Sequence, residues 1–171
     1  MSEPSARVAE STFPAVRFDH ACFGCGDENP IGLHLQFSPT NDGVTAPFVP
    51  LPAHQGFDNV VHGGIISAVL DEAMAWATTR AGVWAVTAEM AVRFRNPLAV
   101  GEPAIVTARV TKHRGRLVAT TAELTRDRDG ASIATATAKF VRVSDTLAAD
   151  WQRRYVEDVN DEDSTGADAN L

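Results

Sequence analysis

The chain has 171 residues, 44% hydrophobic and 22% charged, the composition of an ordinary globular protein with length for one core. Its two cysteines, Cys22 and Cys25, are too few for a secreted disulfide framework and suit a reducing compartment. The opening MSEPSARVAE lacks the apolar run of a signal peptide, and the longest uncharged apolar stretch, 63–70, is too short to span a membrane, so a cytoplasmic protein without membrane partners is expected. The net charge of −7 is unevenly placed: the last fifteen residues hold six acids and no base, whereas 93–142 hold ten Arg or Lys against four acids. Such a segment suits an anionic ligand. With only Phe94 and Phe140 as aromatics it lacks the stacking platform of a single-strand binder, and no nucleic-acid partner is expected.

Residues 1–21 show no sustained period and read as an N-terminal extension, and 144–171 read as an acidic tail without structure. Gly32 to Ser38 and Gly43 to Val49 read as strands of a hairpin around the turn-forming run SPTNDG. From His62 to Arg80 an apolar helix follows, charged before Arg80 only at Asp71 and Glu72, and is expected to be buried nearly all round. Four strand-like runs come next: Val83 to Arg95, Ala104 to Arg114, Arg116 to Arg126 and Ala131 to Val143. A hairpin, one long helix and an antiparallel meander imply an α+β domain over 22–143, a single sheet wrapped around the helix.

A carboxylate in such a helix must pair, shift its pKa or open onto a wet site. Asp71 and Glu72 project about 100° apart, so one of them is free to leave the core. Asp71 is the first candidate for chemistry and Glu72 a secondary one. Upstream, His62, Gly63 and Gly64 stand where the helix begins; glycines there leave N–H groups unshielded at the positive end of the helix dipole, suited to an oxyanion formed in acyl transfer. Gly63 and Asp71 lie roughly 12 Å apart along one helix at 1.5 Å per residue, too far to act on one carbonyl. If both serve one substrate, Gly63 of one chain must meet Asp71 of another, which requires a homodimer.

The segments VVHGGIISAVLDEAMAWA and VTAEMAVRFRNPLAVGE resemble the hotdog-fold acyl-CoA thioesterases of the phenylacetate-pathway (PaaI-like) group, and CFGCGDENPIGLHLQF is similar to the opening of the subgroup related to thioesterase superfamily member four. The resemblance implies a six-stranded antiparallel sheet around the helix, an edge-to-edge homodimer or dimer of dimers, and hydrolysis of an acyl-CoA thioester in fatty-acid metabolism without a further cofactor. Carried onto these residues, it gives Gly63 the N–H for the thioester oxygen, His62 a part in positioning that carbonyl, the partner's Asp71 the role of general base or nucleophile, and Thr87 the orientation of water. Several relatives have an Asn six residues before the histidine; here that position is Gly56, with Asp58 and Asn59 the nearest polar residues. Strand parity puts Thr87 on the face of Glu89, Arg93 and Arg95, opposite Met90, Val92 and Phe94, unless a bulge intervenes.

Candidates for the CoA phosphates are Arg93, Arg95, Lys112, Arg114, Arg116 and Lys139, and for an acyl pocket Phe57, Met74, Trp76 and Trp84. His20, Cys22, Cys25 and His34 can be drawn as a zinc tetrad, but without a second cysteine pair this is half a motif, and no metal is assigned. GDENPIGLH imitates the Asp, Asn, Pro, His motif of hotdog hydratases in the wrong register, so Asn29 and Pro30 read as a turn. Enoyl-CoA hydratase and a non-catalytic acyl-CoA binding module remain the alternatives.

Overall fold

The computed structural model describes residues 16–156. Strands β1 (Ser38–Pro39) and β2 (Gly43–Phe48) precede helix α1 (Gly63–Arg80), followed by β3 (Ala85–Phe94), β4 (Ala104–Arg114), β5 (Leu117–Arg126), β6 (Ser132–Arg142) and helix α2 (Asp145–Tyr155). All strands form one antiparallel sheet in the order β1-β2-β4-β5-β6-β3. The expected single sheet with a long helix against it is present. The meander, however, is β4-β5-β6 only. The 95–103 segment crosses from β3 to β4 with Leu98 fully buried and its carbonyl accepting from Val61 N–H at 2.9 Å, which sends β3 to the far edge beside β6.

Alternation of small and large apolar residues shapes the inner face. Val44, Ala46 and Phe48 on β2, Ala104, Val106 and Ala108 on β4, Val118, Ala122 and Leu124 on β5, and Ala134, Ala136, Ala138 and Phe140 on β6 are all buried. The alanines let the helix approach, and Val69, Leu70 and Met74 of α1 sit against them with no exposure. Each such side chain contributes about 1.5–3 kcal/mol. Contrary to the expectation of burial all round, only this face of α1 is covered. Gly64 is exposed and Ser67, Ala68, Asp71 and Ala75 are half-buried, a stripe of small residues at helical spacing. The helix stops where Gly82 takes φ +75°, a conformation that favours glycine.

The first expected strand shrinks to two residues. Leu33, Leu35 and Phe37 do alternate inward, but Leu33 N–H donates to Phe23 O and Leu35 N–H to Gly24 O, so this stretch pairs with the cysteine loop and not with the sheet. His34, at φ +50°, breaks it.

The acidic tail is also structured at its start. Ser144 caps α2 by accepting from Leu147 N–H, and Trp151 and Tyr155 pack on Trp84 with ring centroids 6.2 and 6.4 Å away. Arg17 N–H donates to Tyr155 O, so 16–21 and α2 hold each other. The acids that suggested an unfolded tail begin at Glu157, and 157–171, like 1–15, lie outside the described residues. Trp151→Ala should lower stability by about 2 kcal/mol, less than full core truncation because Trp151 is only half-buried. Urea denaturation checks this; an unchanged midpoint would mean that α2 does not dock.

Candidate active site

At the start of α1 the cap decides which glycine is available. His62 has an extended backbone and its Nδ1 accepts from Gly64 N–H at 2.9 Å. That bond makes Nδ1 the acceptor and places the ring proton on Nε2, on an exposed side chain. Gly64 is thereby spent, whereas Gly63 N–H has no hydrogen-bond partner among the described residues. A β-carbon at Gly56 would stand 3.1 Å from His62 Cα and 3.3 Å from its ring, so the residue that replaces the expected Asn keeps the space beside His62 clear. Asn59 adopts φ +57° in an exposed turn, its N–H bonded to Gln55 Oε1. Sequence reading missed His54, buried beneath this turn: its Nδ1 accepts from Leu51 N–H, its carbonyl accepts from His62 N–H, and burial lowers its pKa. It had no signal beyond being a histidine in a loop.

Two turns along α1, Asp71 Oδ1 accepts from Thr87 Oγ1 at 2.7 Å. Parity had put Thr87 on the outer face; a bulge between Thr87 and Glu89 reverses it. Thr87 pairs with Phe140, Met90 with Ala138 and Val92 with Ala136, all inward partners, so Thr87 joins the inner face while Glu89 and Arg93 stay outside. Gly63 lies at the opposite end of β3, where a β-carbon would touch the Phe94 ring at 3.4 Å. One chain therefore holds an Asp71–Thr87 pair and a His62–Gly63 pair at the two ends of an exposed edge strand.

Glu72 does not leave the core. It is half-buried behind the cysteine loop, accepts from Trp76 Nε1 at 3.1 Å, and meets Cys22 Sγ at 3.8 and 3.9 Å. Burial pushes its pKa up to about 7. Bonding between the two thiols draws Cys22 down and pushes Cys25 up. Beside this cluster a cavity of about 460 Å³ is lined by Glu72, Ala75, Trp76, Thr79, Trp84, Val86, Trp151 and Tyr155 among others. Of the residues expected in an acyl pocket, Trp76 and Trp84 line it. Met74 is sealed in the core with no exposure, and Phe57 is 87% exposed in the turn before α1, so neither does.

The candidate phosphate-binding cations do not converge within one chain. Arg93 faces out, and Lys139 is paired with Glu89 on that same outer face at 2.8 Å. Arg95 follows β3, its N–H bonded to Ile133 O. Lys112, Arg114 and Arg116 cluster at the β4–β5 hairpin, where Arg116 Nη2 donates to Arg142 O. That hairpin lies eight residues along β6 from the partner of Phe94, about 27 Å at 3.4 Å per residue. Asn29 forms a turn as expected, its Oδ1 accepting from Ile31 N–H, and His34 is exposed.

Residues 58–133 match the family described as Thioesterase superfamily. The chain is 31% identical over 124 residues to acyl-coenzyme A thioesterase THEM4 of Xenopus laevis, an alignment covering 68% of this chain and 54% of that protein. It thus spans about half the length of this curated relative. A crystallised thioesterase superfamily protein superposes with a TM-score of 0.64 at 26% identity, over 68% of this chain and 60% of the other. The PaaI protein of E. coli, from the phenylacetic acid degradation operon, shares the fold at 20% identity and a TM-score of 0.60, over 64% and 84%. No helix among the described residues is long and apolar enough to cross a membrane. By sequence match and architecture together, the chain belongs to the thioesterase superfamily and carries its hotdog domain.

Proposed function

We propose that the protein hydrolyses acyl-CoA thioesters at two sites shared across a homodimer, each built from the His62–Gly63 end of one protomer and the Asp71–Thr87 end of its partner. The observation that carries this reading is the placement of these pairs at opposite ends of the exposed β3 edge. A twofold antiparallel pairing of two β3 strands centred near Met90 and Ala91 sets Phe94 of one chain opposite Thr87 of the partner subunit. It thereby closes the 12 Å gap that one helix cannot bridge. A ten-residue edge with Val86 and Phe94 about half exposed is an open pairing surface, and the small-residue stripe of α1 admits close approach. The same pairing carries the partner's Arg114 and the partner's Arg116 toward the start of α1, where a CoA diphosphate would need cations.

In this arrangement the thioester carbonyl rests on the Gly63 N–H and the His62 Nε2–H. Thr87 holds one carboxylate oxygen of Asp71, leaving the other to take a proton from the attacking water. The negative charge that develops on the carbonyl oxygen is met by a fixed N–H at a helix N-terminus, and CoA leaves as a thiolate. The acyl group extends toward Trp76 and Trp84 in the cavity beside Thr79. THEM4, by name an acyl-coenzyme A thioesterase, supports the substrate class.

Asp71→Asn should lower kcat by about two to four orders of magnitude, the scale of a lost general base. Thr87→Val should lower it about tenfold, as for a lost hydrogen bond to a charged group. Thiol release from acyl-CoAs of graded chain length measures both. It also separates the alternatives, since a hydratase changes enoyl absorbance without releasing thiol and a binder does neither.

Gly63→Pro deletes the unpartnered N–H at the first helical position, where proline is tolerated and the extended His62 already suits a following proline. Its kcat should fall about 100-fold or more with the fold intact. Mixing Gly63→Pro with Asp71→Asn chains should restore part of the activity, because half of the sites in a mixed dimer are wild type. Two inactive parents that stay inactive when co-refolded would overturn the shared site.

A further inference from the structure

We propose that Cys22, Cys25 and Glu72 form a zinc-binding site, separate from the Asp71 chemistry, whose remaining coordination position opens into the neighbouring cavity. The two Sγ atoms and a carboxylate oxygen come from a loop and a helix fifty residues apart in sequence, and all lie within 4.8 Å of one another. Tetrahedral zinc with bonds of about 2.3 Å to sulfur and 2.1 Å to oxygen sets ligand atoms about 3.6 Å apart for S···O and about 3.8 Å for S···S. Cys22 Sγ stands 3.8 and 3.9 Å from the two oxygens of Glu72. Cys22 and Glu72 are thus within a few tenths of an ångström of the zinc spacing, and Cys25, inside the 4.8 Å that spans the cluster, joins the set with a shift of about 1 Å at most.

Without a cation the cluster is poorly balanced. Glu72 is half-buried, next to Asp71 in sequence, faced by two thiols, and reached by no ion pair among the described residues. A divalent ion supplies the missing positive charge, and thiolates are ligands that zinc favours.

The loop is shaped to deliver these atoms. Gly26 N–H donates back to Cys22 O, closing the two-residue spacing into a tight knuckle. A β-carbon at Gly26 would lie 2.1 Å from His20 O, and one at Gly24 would lie 2.3 Å from Glu72 Cδ. Both glycines are therefore required for the sulfurs to reach the carboxylate. Surrounding groups orient the ligands: Trp76 Nε1 donates to Glu72, and buried His20, edge-on to Tyr155, accepts the Cys22 N–H. The tetrad drawn from sequence included His34, but that residue is exposed, and Glu72 takes the place it would have filled. Three protein ligands leave one position for water or another donor, and the adjoining 460 Å³ of space accommodates it.

The test uses the full chain, untagged, reduced and purified without chelator. Elemental analysis is expected to find one zinc per chain. After stripping, cobalt(II) is expected to give the near-ultraviolet thiolate charge-transfer band at one equivalent, and zinc to raise the thermal midpoint. Cys22→Ser, Cys25→Ser and the near-isosteric Glu72→Gln, each checked for native circular dichroism, should weaken zinc at least tenfold, while Asp71→Asn should not. Reduced, folded protein that takes up neither zinc nor cobalt overturns the site, as does metal held equally well by the three variants. Because metal content is read without turnover, the outcome is independent of whether the chain hydrolyses thioesters.

Discussion

Two consecutive carboxylates on an otherwise apolar helix are the constraint around which the rest is arranged. Adjacent helical positions point about 100° apart, so Asp71 and Glu72 cannot share an environment. Glu72 turns to the cysteine loop and Trp76; Asp71 turns to the small-residue stripe and Thr87. Each direction calls for a different accommodation. On one side, a glycine knuckle makes room for a half-buried carboxylate; on the other, a β-bulge rotates a single hydroxyl onto the inner face.

The bulge shows how a local irregularity settles a chemical question. With Ala88 outside the regular register, the residues before and after it have opposite parity, so Thr87 faces α1 while Glu89 pairs with Lys139 outside. In a regular strand Thr87 would share the outer face with Glu89 and Asp71 would lack its hydroxyl partner. The cap at the other end of α1 works by a similar economy. His62 consumes Gly64 N–H and fixes its own tautomer, which singles out Gly63 from a pair of glycines that sequence treats alike.

The two ends of β3 are too far apart to act together within one chain, and the strand between them is an open sheet edge. The shared site proposed for the dimer follows from those facts, as does the division of cations between the outer face and the β4–β5 hairpin. The cavity has a different origin. It forms where α2 and residues 16–25 close over Trp76 and Trp84, so the pieces outside the family match at 58–133 shape the space beside the site.

Sequence alone determined the helix from His62 to Arg80, all four of the last strands to within a residue or two, and the separation of Gly63 from Asp71 along one helix, because periodicity and rise per residue are local properties of the chain. Alternation in 32–38 recorded burial correctly but not the pairing partner, since inward side chains serve a loop contact as well as a sheet. The order of strands, the position of β3 at the edge, the docking of α2 and the turning of Glu72 toward the cysteine loop were decided by tertiary structure. Each depends on which distant residue supplies the opposing surface: Phe140 for Thr87, Trp84 for Trp151, Cys22 for Glu72. No window of sequence contains both members of such a pair, and their meeting is fixed only when the sheet closes on the helix.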